Sequence, residues 1–208
     1  MSEHYFSSHP RSPATPAAFE ATVWGHPLQM QSAAGLFSHS RLDLGTQVLV
    51  RSAQPDEAAQ AVLDLGCGTG VLATGLGLAL PRAQVWAVDV NQRAREITAA
   101  NMSHHGLGER MHVEEPEDVP EAVCFDEIWS NPPIRIGKSA VHSLLMHWLP
   151  RLSGGGRALL VIGRNLGADS HQRWLDEQGW TCDRLASAKG YRVLQVTRPP
   201  AGEPQGGR

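Results

Sequence analysis

The sequence is poor in cysteine and poorer still in lysine. Three cysteines, Cys67, Cys124 and Cys182, occur in 208 residues, with no CxxC spacing. An odd number without paired spacing argues against a disulfide framework and against a zinc site, so no metal is expected, and it fits a reducing cytoplasm. Long apolar runs are missing too. No stretch approaches the roughly 20 residues of a membrane span, so no membrane partner is expected. The first residues, MSEHYFSSHPRSPATP, lack the apolar core of a secretion signal. Positive charge is not in excess. A net charge of −3 excludes a globally basic nucleic-acid binder and leaves room for a local basic patch. Only two of the 18 cations are lysines, Lys138 and Lys189. There is no internal repeat. What remains is an ordinary soluble composition, 41% hydrophobic and 19% charged. The length is a little over the roughly 150 residues expected of one domain.

Residues 1–16 are polar and proline-bearing and read as irregular. Residues 17–197 read as a single domain, and 198–208, low in apolar residues, as a disordered tail. Residues 19–33 suggest a hairpin turning near Gly25-His26. Asp43 is placed to cap a helix carrying Val48 and Leu49. From residue 61 the chain repeats strand, glycine turn and helix, the pattern of an α/β fold. AVLDLG, AQVWAVDV, RMHVEE, FDEIWSN and GRALLVIG are the strands. Asn91 caps a helix that stops at Gly106, with His104-His105 as a helix end rather than a metal site. A further helix, 138–149, stops at Pro150, and DSHQRWLDEQG is a capped helix ending at Gly179. TCDRLASA and YRVLQVTR are joined only by Lys189-Gly190. So short a link forces an antiparallel pair. The expected sheet is mostly parallel with an antiparallel last strand.

The segment VLDLGCGTG puts Gly66, Cys67, Gly68 and Gly70 in a turn between strand and helix. Glycines there allow a tight turn and close backbone approach to a ligand. The spacing is GxGxG, not the GxGxxG of dinucleotide binders. Asp64 ends the strand just before the turn. A carboxylate there repels a pyrophosphate, which disfavours a nicotinamide oxidoreductase. It suits the ammonium or sulfonium end of S-adenosylmethionine. Asp89 ends the next strand, where an acid can accept hydrogen bonds from both ribose hydroxyls or cap the following helix. Glu114 or Glu115 ends the third, where the adenine edge is expected.

NPPIRIGK, Asn131 to Lys138, follows the strand FDEIWS. Proline has no N–H and holds the residue before it extended, so the backbone is stiff where the strand stops. The Asn131 side-chain oxygen and the Pro132 carbonyl offer two acceptors in fixed geometry. A planar –NH₂ group has two donors to match. Held so, its nitrogen lone pair faces one direction, and in-line methyl transfer needs little beyond positioning and oriented dipoles. An isolated NPP also reads as a proline-stiffened loop.

These segments, with VWAVDVNQRA, GYRVLQV and the upstream GLFSHSRLDLGT, resemble the class I S-adenosylmethionine-dependent methyltransferases of the methyltransferase small domain type. The resemblance spans roughly residues 4–197. That family includes small-subunit ribosomal RNA guanine-N2 methyltransferases. It implies a Rossmann-like seven-stranded sheet, and methylation of an exocyclic base amine, guanine N2 of ribosomal RNA foremost. The resemblance implies that Asp64, Gly66 and Gly68 hold the methionine end, Asp89 the ribose, and Asn131, Pro132 and Pro133 the target amine. Gly45 and Thr46 match a loop beside the donor. Many relatives carry Phe or Tyr after the two prolines to stack on the base. Here Ile134 stands in that place, and Phe37 is an alternative platform. Ribosomal RNA members also often carry a second, duplicated domain, and this chain matches the catalytic unit. Arg135, Lys138 and His142 could line a polar rim near the substrate, joined by Arg164, Lys189 and Arg192. Each taken singly also reads as a solvated charge. Asp126 has the look of a local structural residue. Two alternatives keep the chemistry and change the target, to adenine in nucleic acid or a protein glutamine amide. A third is a non-catalytic, RNA-associated cofactor binder.

Overall fold

The computed structural model describes residues 16–33, 41–132 and 137–199. Strands β1 (Pro16–Val23) and β2 (His26–Ala33) form an antiparallel hairpin with Val23 opposite His26. The turn is therefore Trp24-Gly25, one residue earlier than expected, with φ of 46° and 84°. Two left-handed residues give the turn whose twist matches the strands. Glycine adopts that conformation freely, whereas Trp24 is held in it by its ring. Its Nε1 donates to the Ala53 carbonyl at 2.9 Å, and the indole meets Trp129 edge-on with centroids 4.9 Å apart. Alternate hairpin residues Leu28, Met30 and Ser32 are buried, as strand periodicity requires. The hairpin packs directly on the backbone at Gly75, where a Cβ would lie 2.6 Å from Val23 Cγ1.

The main sheet has seven strands in the order β5-β4-β3-β6-β7-β9-β8. They are β3 (Ala61–Leu65), β4 (Gln84–Val88), β5 (Met111–Glu114), β6 (Phe125–Ser130), β7 (Leu152–Gly163), β8 (Thr181–Ala188) and β9 (Tyr191–Thr197). The helices are α1 (Leu44–Ser52), α2 (Val71–Ala79), α3 (Gln92–His104), α4 (Lys138–Trp148) and α5 (Ala168–Glu177). Strands β3 to β7 pair parallel, while β9 runs antiparallel to both β7 and β8. The β8–β9 turn is Lys189-Gly190, with φ of 49° and 81°. This is the mostly parallel α/β sheet with an antiparallel last strand that the sequence indicated.

Alternate residues of each strand feed two apolar layers. Val62 packs with the hairpin, α1, α2 and α3, while Leu63 and Leu65 pack with α4 and α5. Strand order reverses at β3, between β4 and β6, so the carboxyl ends of these strands flank a crevice. At the opposite end of β6, Glu127 is 1% exposed and fully engaged. It accepts from Arg157 Nε at 2.8 Å, from the Asp56 N–H at 3.1 Å and from Trp129 Nε1 at 2.9 Å. Asp126 takes the Ser153 hydroxyl and the N–H groups of Gln60 and Ala61, tying the starts of β6, β7 and β3 together.

Two details depart from the sequence reading. Helix α5 begins at Ala168 behind left-handed Gly167 and has no side-chain cap. Arg198, assigned to the tail, is held against the domain. Its guanidinium donates to the carbonyls of Pro150 and Leu152, and it lies 5.7 Å from the Trp180 ring centroid.

Candidate active site

The strand β3 delivers Asp64 into the crevice on the α2 side. The side chain is 1% exposed and accepts the Ala73 N–H at 2.9 Å, in the first turn of α2. Burial pushes its carboxyl up to about 7, against the Ala73 hydrogen bond, and the charge of Asp89 adds to the rise. No cationic side chain pairs with Asp64 among the described residues. An acid in that state gains from any cation brought to it.

The turn after β3 folds over the end of β4. The N–H groups of Gly66 and Cys67 donate to the Val88 carbonyl at 2.8 and 3.1 Å, and Gly68 N–H donates to Asp89 Oδ2 at 3.0 Å. The other oxygen, Asp89 Oδ1, accepts the Asn91 N–H at 2.9 Å. Gly70 has φ of 77°, and a Cβ there would sit 2.7 Å from Thr98 Cγ2. Thr98 in turn donates to the Gly68 carbonyl at 3.2 Å. Asn101 bridges the Thr69 carbonyl at 2.8 Å and the backbone of Gln31 in β2, so the hairpin braces the turn. Burial, with the charges of Asp89 and Asp64, pushes the Cys67 thiol up, so it stays neutral and its side chain is packing. Glu114 ends β5, half-buried. Its neighbour Glu115 pairs with Arg95 at 2.9 Å.

At the end of β6, Asn131 is half-buried and Pro132 buried. The Asn131 amide nitrogen donates to Asp43 Oδ2 at 2.7 Å and to Thr46 Oγ1 at 3.1 Å. Both its N–H bonds are spent on α1, which leaves Oδ1 as the acceptor that can face a ligand. Asp43 also caps α1, accepting the Thr46 N–H at 3.1 Å. Gly45 and Thr46, both buried, complete this contact. A Cβ on Gly45 would lie 2.9 Å from Asp43 Oδ2, 2.9 Å from Tyr191 Cε1 and 3.3 Å from Asn131 Nδ2. Gly45 is thus needed for space. Burial, reinforced by the Asp43 charge, pushes the Tyr191 hydroxyl up.

The sequence model of the methyltransferase small domain family matches residues 27–195. The chain belongs to that family. S-adenosylmethionine, the expected methyl donor, goes with the membership. The Bacillus subtilis protein YbxB is 28% identical over 95% of this chain and all of its own length. The Ribosomal RNA small subunit methyltransferase C of Chromohalobacter salexigens is 34% identical, over 82% of this chain and 52% of its own. Among solved structures, the T. Thermophilus 16S rRNA N2 methyltransferase RsmC, in complex with AdoMet and guanosine, superposes with a TM-score of 0.79. Its identity is 24%, over 91% of this chain and 52% of that one. The chain spans about half the length of these ribosomal RNA relatives.

Within this methyltransferase fold the expected polar rim is only partly assembled. Lys138, at the start of α4, donates to Ser170 Oγ at 2.6 Å. His142 stacks flat on Trp174 at 3.5 Å and packs against His171, so it is a packing residue rather than part of a polar rim. Arg192 pairs with Asp169, which also takes Arg184 at 3.1 Å. Arg164 and Lys189 are exposed, and the Arg164 N–H donates to the Gly190 carbonyl at 2.8 Å, which makes them neighbours at the crevice end of the sheet. His104 ends α3 and His105 bonds to the Gln29 carbonyl at 3.1 Å, as helix-end residues. Phe37, Pro133, Ile134 and Arg135 lie outside the described residues. The sequence reading saw Asp43 only as a helix cap and missed Tyr191, Thr98 and Asn101. Asp43 and Asn131 are 88 residues apart, and no linear pattern links them.

Proposed function

We propose that the protein is an S-adenosylmethionine-dependent N-methyltransferase acting on an exocyclic base amine, with guanine N2 of small-subunit ribosomal RNA as its target. One observation carries the reading: an asparagine at the end of β6 whose amide nitrogen is tied down by Asp43 and Thr46, so that its oxygen is the end left for a donor. With the Pro132 carbonyl beside it, that oxygen suits an –NH₂ group. The residues also fit the donor. Asp64 would take the methionine ammonium, the glycines of the Gly66–Gly70 turn would let the backbone pass close to the methionine end, and Asp89 would take the ribose hydroxyls. Glu114 would face the adenine. The donor supplies a sulfonium-bound methyl group. Asn131 and Pro132 would hold the amine with its lone pair aimed at that methyl. Pro133, Ile134, Arg135 and Phe37 remain candidates for contact with the base and its flanking nucleotides.

The RNA target rests on the ribosomal RNA names of the relatives and on the T. Thermophilus structure, which contains guanosine together with AdoMet. Ribosomal RNA in the cytoplasm is the partner this reading needs. Because the net charge is −3, affinity comes from a small patch, for which Arg164 and Lys189 are the exposed cations, with Lys138 at its edge. Removing Arg164 or Lys189 lowers the log–log salt slope by about 0.7 for each phosphate no longer neutralised on single strands. An exposed guanine in an assembling subunit is favoured, since flipping a paired base costs a few kcal/mol. Mass mapping of small-subunit RNA from a strain lacking the protein tests the target. The loss of one N2-methylguanine is the expected result. If every methylated guanine persists and cofactor label enters DNA or protein instead, the guanine assignment fails.

A further inference from the structure

We infer that Asp43 is a positioning residue for methyl transfer, which sets both the orientation and the charge of the Asn131 amide. The inference rests on the N-methyltransferase reading of the same site. An asparagine amide can turn over and present either end. Here the turned-over state would put Oδ1 against the Asp43 carboxylate and lose the 2.7 Å bond, so the nitrogen-inward state is enforced. The acceptor end is thereby fixed before substrate arrives, which is the preorganisation that a positioning mechanism needs.

The contact also transmits charge. A carboxylate accepting from one end of an amide draws positive charge to the nitrogen and leaves the oxygen more negative, and linked hydrogen bonds strengthen one another in this way. The reaction makes use of such an oxygen. As the amine lone pair forms the new N–C bond, the C–S bond breaks and its electron pair leaves with sulfur as a neutral thioether. The amine nitrogen carries positive charge until one of its protons passes to solvent. Oδ1 accepts from that nitrogen, so its bond strengthens as charge develops. Asp43 thus stabilises the transition state through one intervening amide without touching the substrate.

The surroundings are built around this contact. Thr46 Oγ1 takes the second amide hydrogen at 3.1 Å. Gly45 leaves the space that any side chain would fill, its Cβ falling 2.9 Å from Asp43 Oδ2. A helix cap alone explains the Asp43–Thr46 bond and does not explain the shorter bond to Asn131.

Two variants separate the roles. Asp43→Ser keeps a capping hydroxyl for α1 and is too short to hold Asn131. Asp43→Asn keeps an acceptor and removes the charge. At saturating cofactor, kcat is expected to fall about a hundredfold in Asp43→Ser and about tenfold in Asp43→Asn, with cofactor affinity by calorimetry within about threefold of wild type in both. A readout independent of turnover is the side-chain amide resonance pair of Asn131, assigned from its disappearance in Asn131→Ala. In the wild-type chain one proton is expected downfield and slow to exchange, and in Asp43→Ser its exchange accelerates at least about tenfold. The inference is overturned if Asp43→Ser turns over within twofold of wild type. It is equally overturned if the Asn131 resonances do not move, or if kcat falls only in step with reduced cofactor affinity. Should the wild type methylate no RNA, DNA or protein, the functional reading fails while the resonance experiment still decides the contact.

Discussion

Two acids on neighbouring strands are buried to the same degree and treated in opposite ways. Glu127, on β6, and Asp64, on β3, are each 1% exposed. Glu127 meets the Arg157 guanidinium, a backbone N–H and the Trp129 indole. Asp64 has the Ala73 N–H and no cation among the described residues. Burying a charge is costly unless it is paired, and an unpaired acid shifts its pKa instead. Glu127 is sealed by its own chain. Asp64 is pushed up to about 7 by burial, helped by Asp89. The contrast follows the sheet: the amino ends of the strands are closed for stability, and the carboxyl ends stay short of a partner that a ligand can provide.

The largest test of this contrast lies at the closed end. Arg157→Ala strands the Glu127 carboxylate and is expected to cost about 3–5 kcal/mol in denaturant unfolding. At the open end, Asp64→Asn is expected to weaken S-adenosylmethionine binding by about 1.5–3 kcal/mol, the worth of a hydrogen bond to a charged group. The same change should leave stability at pH 8 unchanged or raised, because it removes an uncompensated buried charge. A parallel loss of stability would mean that Asp64 is a structural acid like Glu127.

Proton linkage sharpens the comparison further. The ammonium of the donor needs Asp64 ionised, while the free protein holds the carboxyl protonated below about 7. Cofactor affinity should therefore fall as pH drops through 7, approaching about tenfold per unit. Glu127→Gln should leave that profile in place. In the free protein the sign is the opposite. The raised folded pKa of Asp64 favours folding at low pH, and that contribution is lost as pH rises from the unfolded value near 4 through 7. A smaller effect comes from His171. Burial, with the His142 and Lys138 charges, pushes its imidazole down to about 4. The unfolded chain binds this proton first, so stability should decline as pH falls from about 6.5 to 4. His171→Gln should flatten that limb in thermal melts at about pH 5.

The open end was far easier to read in the sequence than the closed one. Asp64, the glycines and Asp89 are local, because a strand, a turn and a helix N-terminus lie within a few residues. The Lys189-Gly190 link forced the antiparallel β9 by length alone. Glu127 drew no attention as a buried acid, since its partner Arg157 comes from another strand. For the same reason Asp43 was visible as a cap for α1 and not as the partner of Asn131. The hairpin turn slipped by one residue because Trp24 takes a left-handed conformation to place its ring against Trp129 and Ala53, a tertiary demand. His142 read as a polar rim residue, and Trp174 lies stacked beneath it. What could be read was sequence-local geometry, and what could not was pairing across the sheet.

The most direct test of the account is single-turnover methyl transfer to small-subunit RNA by Asn131→Ala at saturating cofactor. Asn131 acts on the amine and not on the donor, so the rate should fall by about two orders of magnitude or more with cofactor affinity unchanged. A single-turnover rate within twofold of wild type would make the asparagine and its prolines a structural turn and would contradict the account.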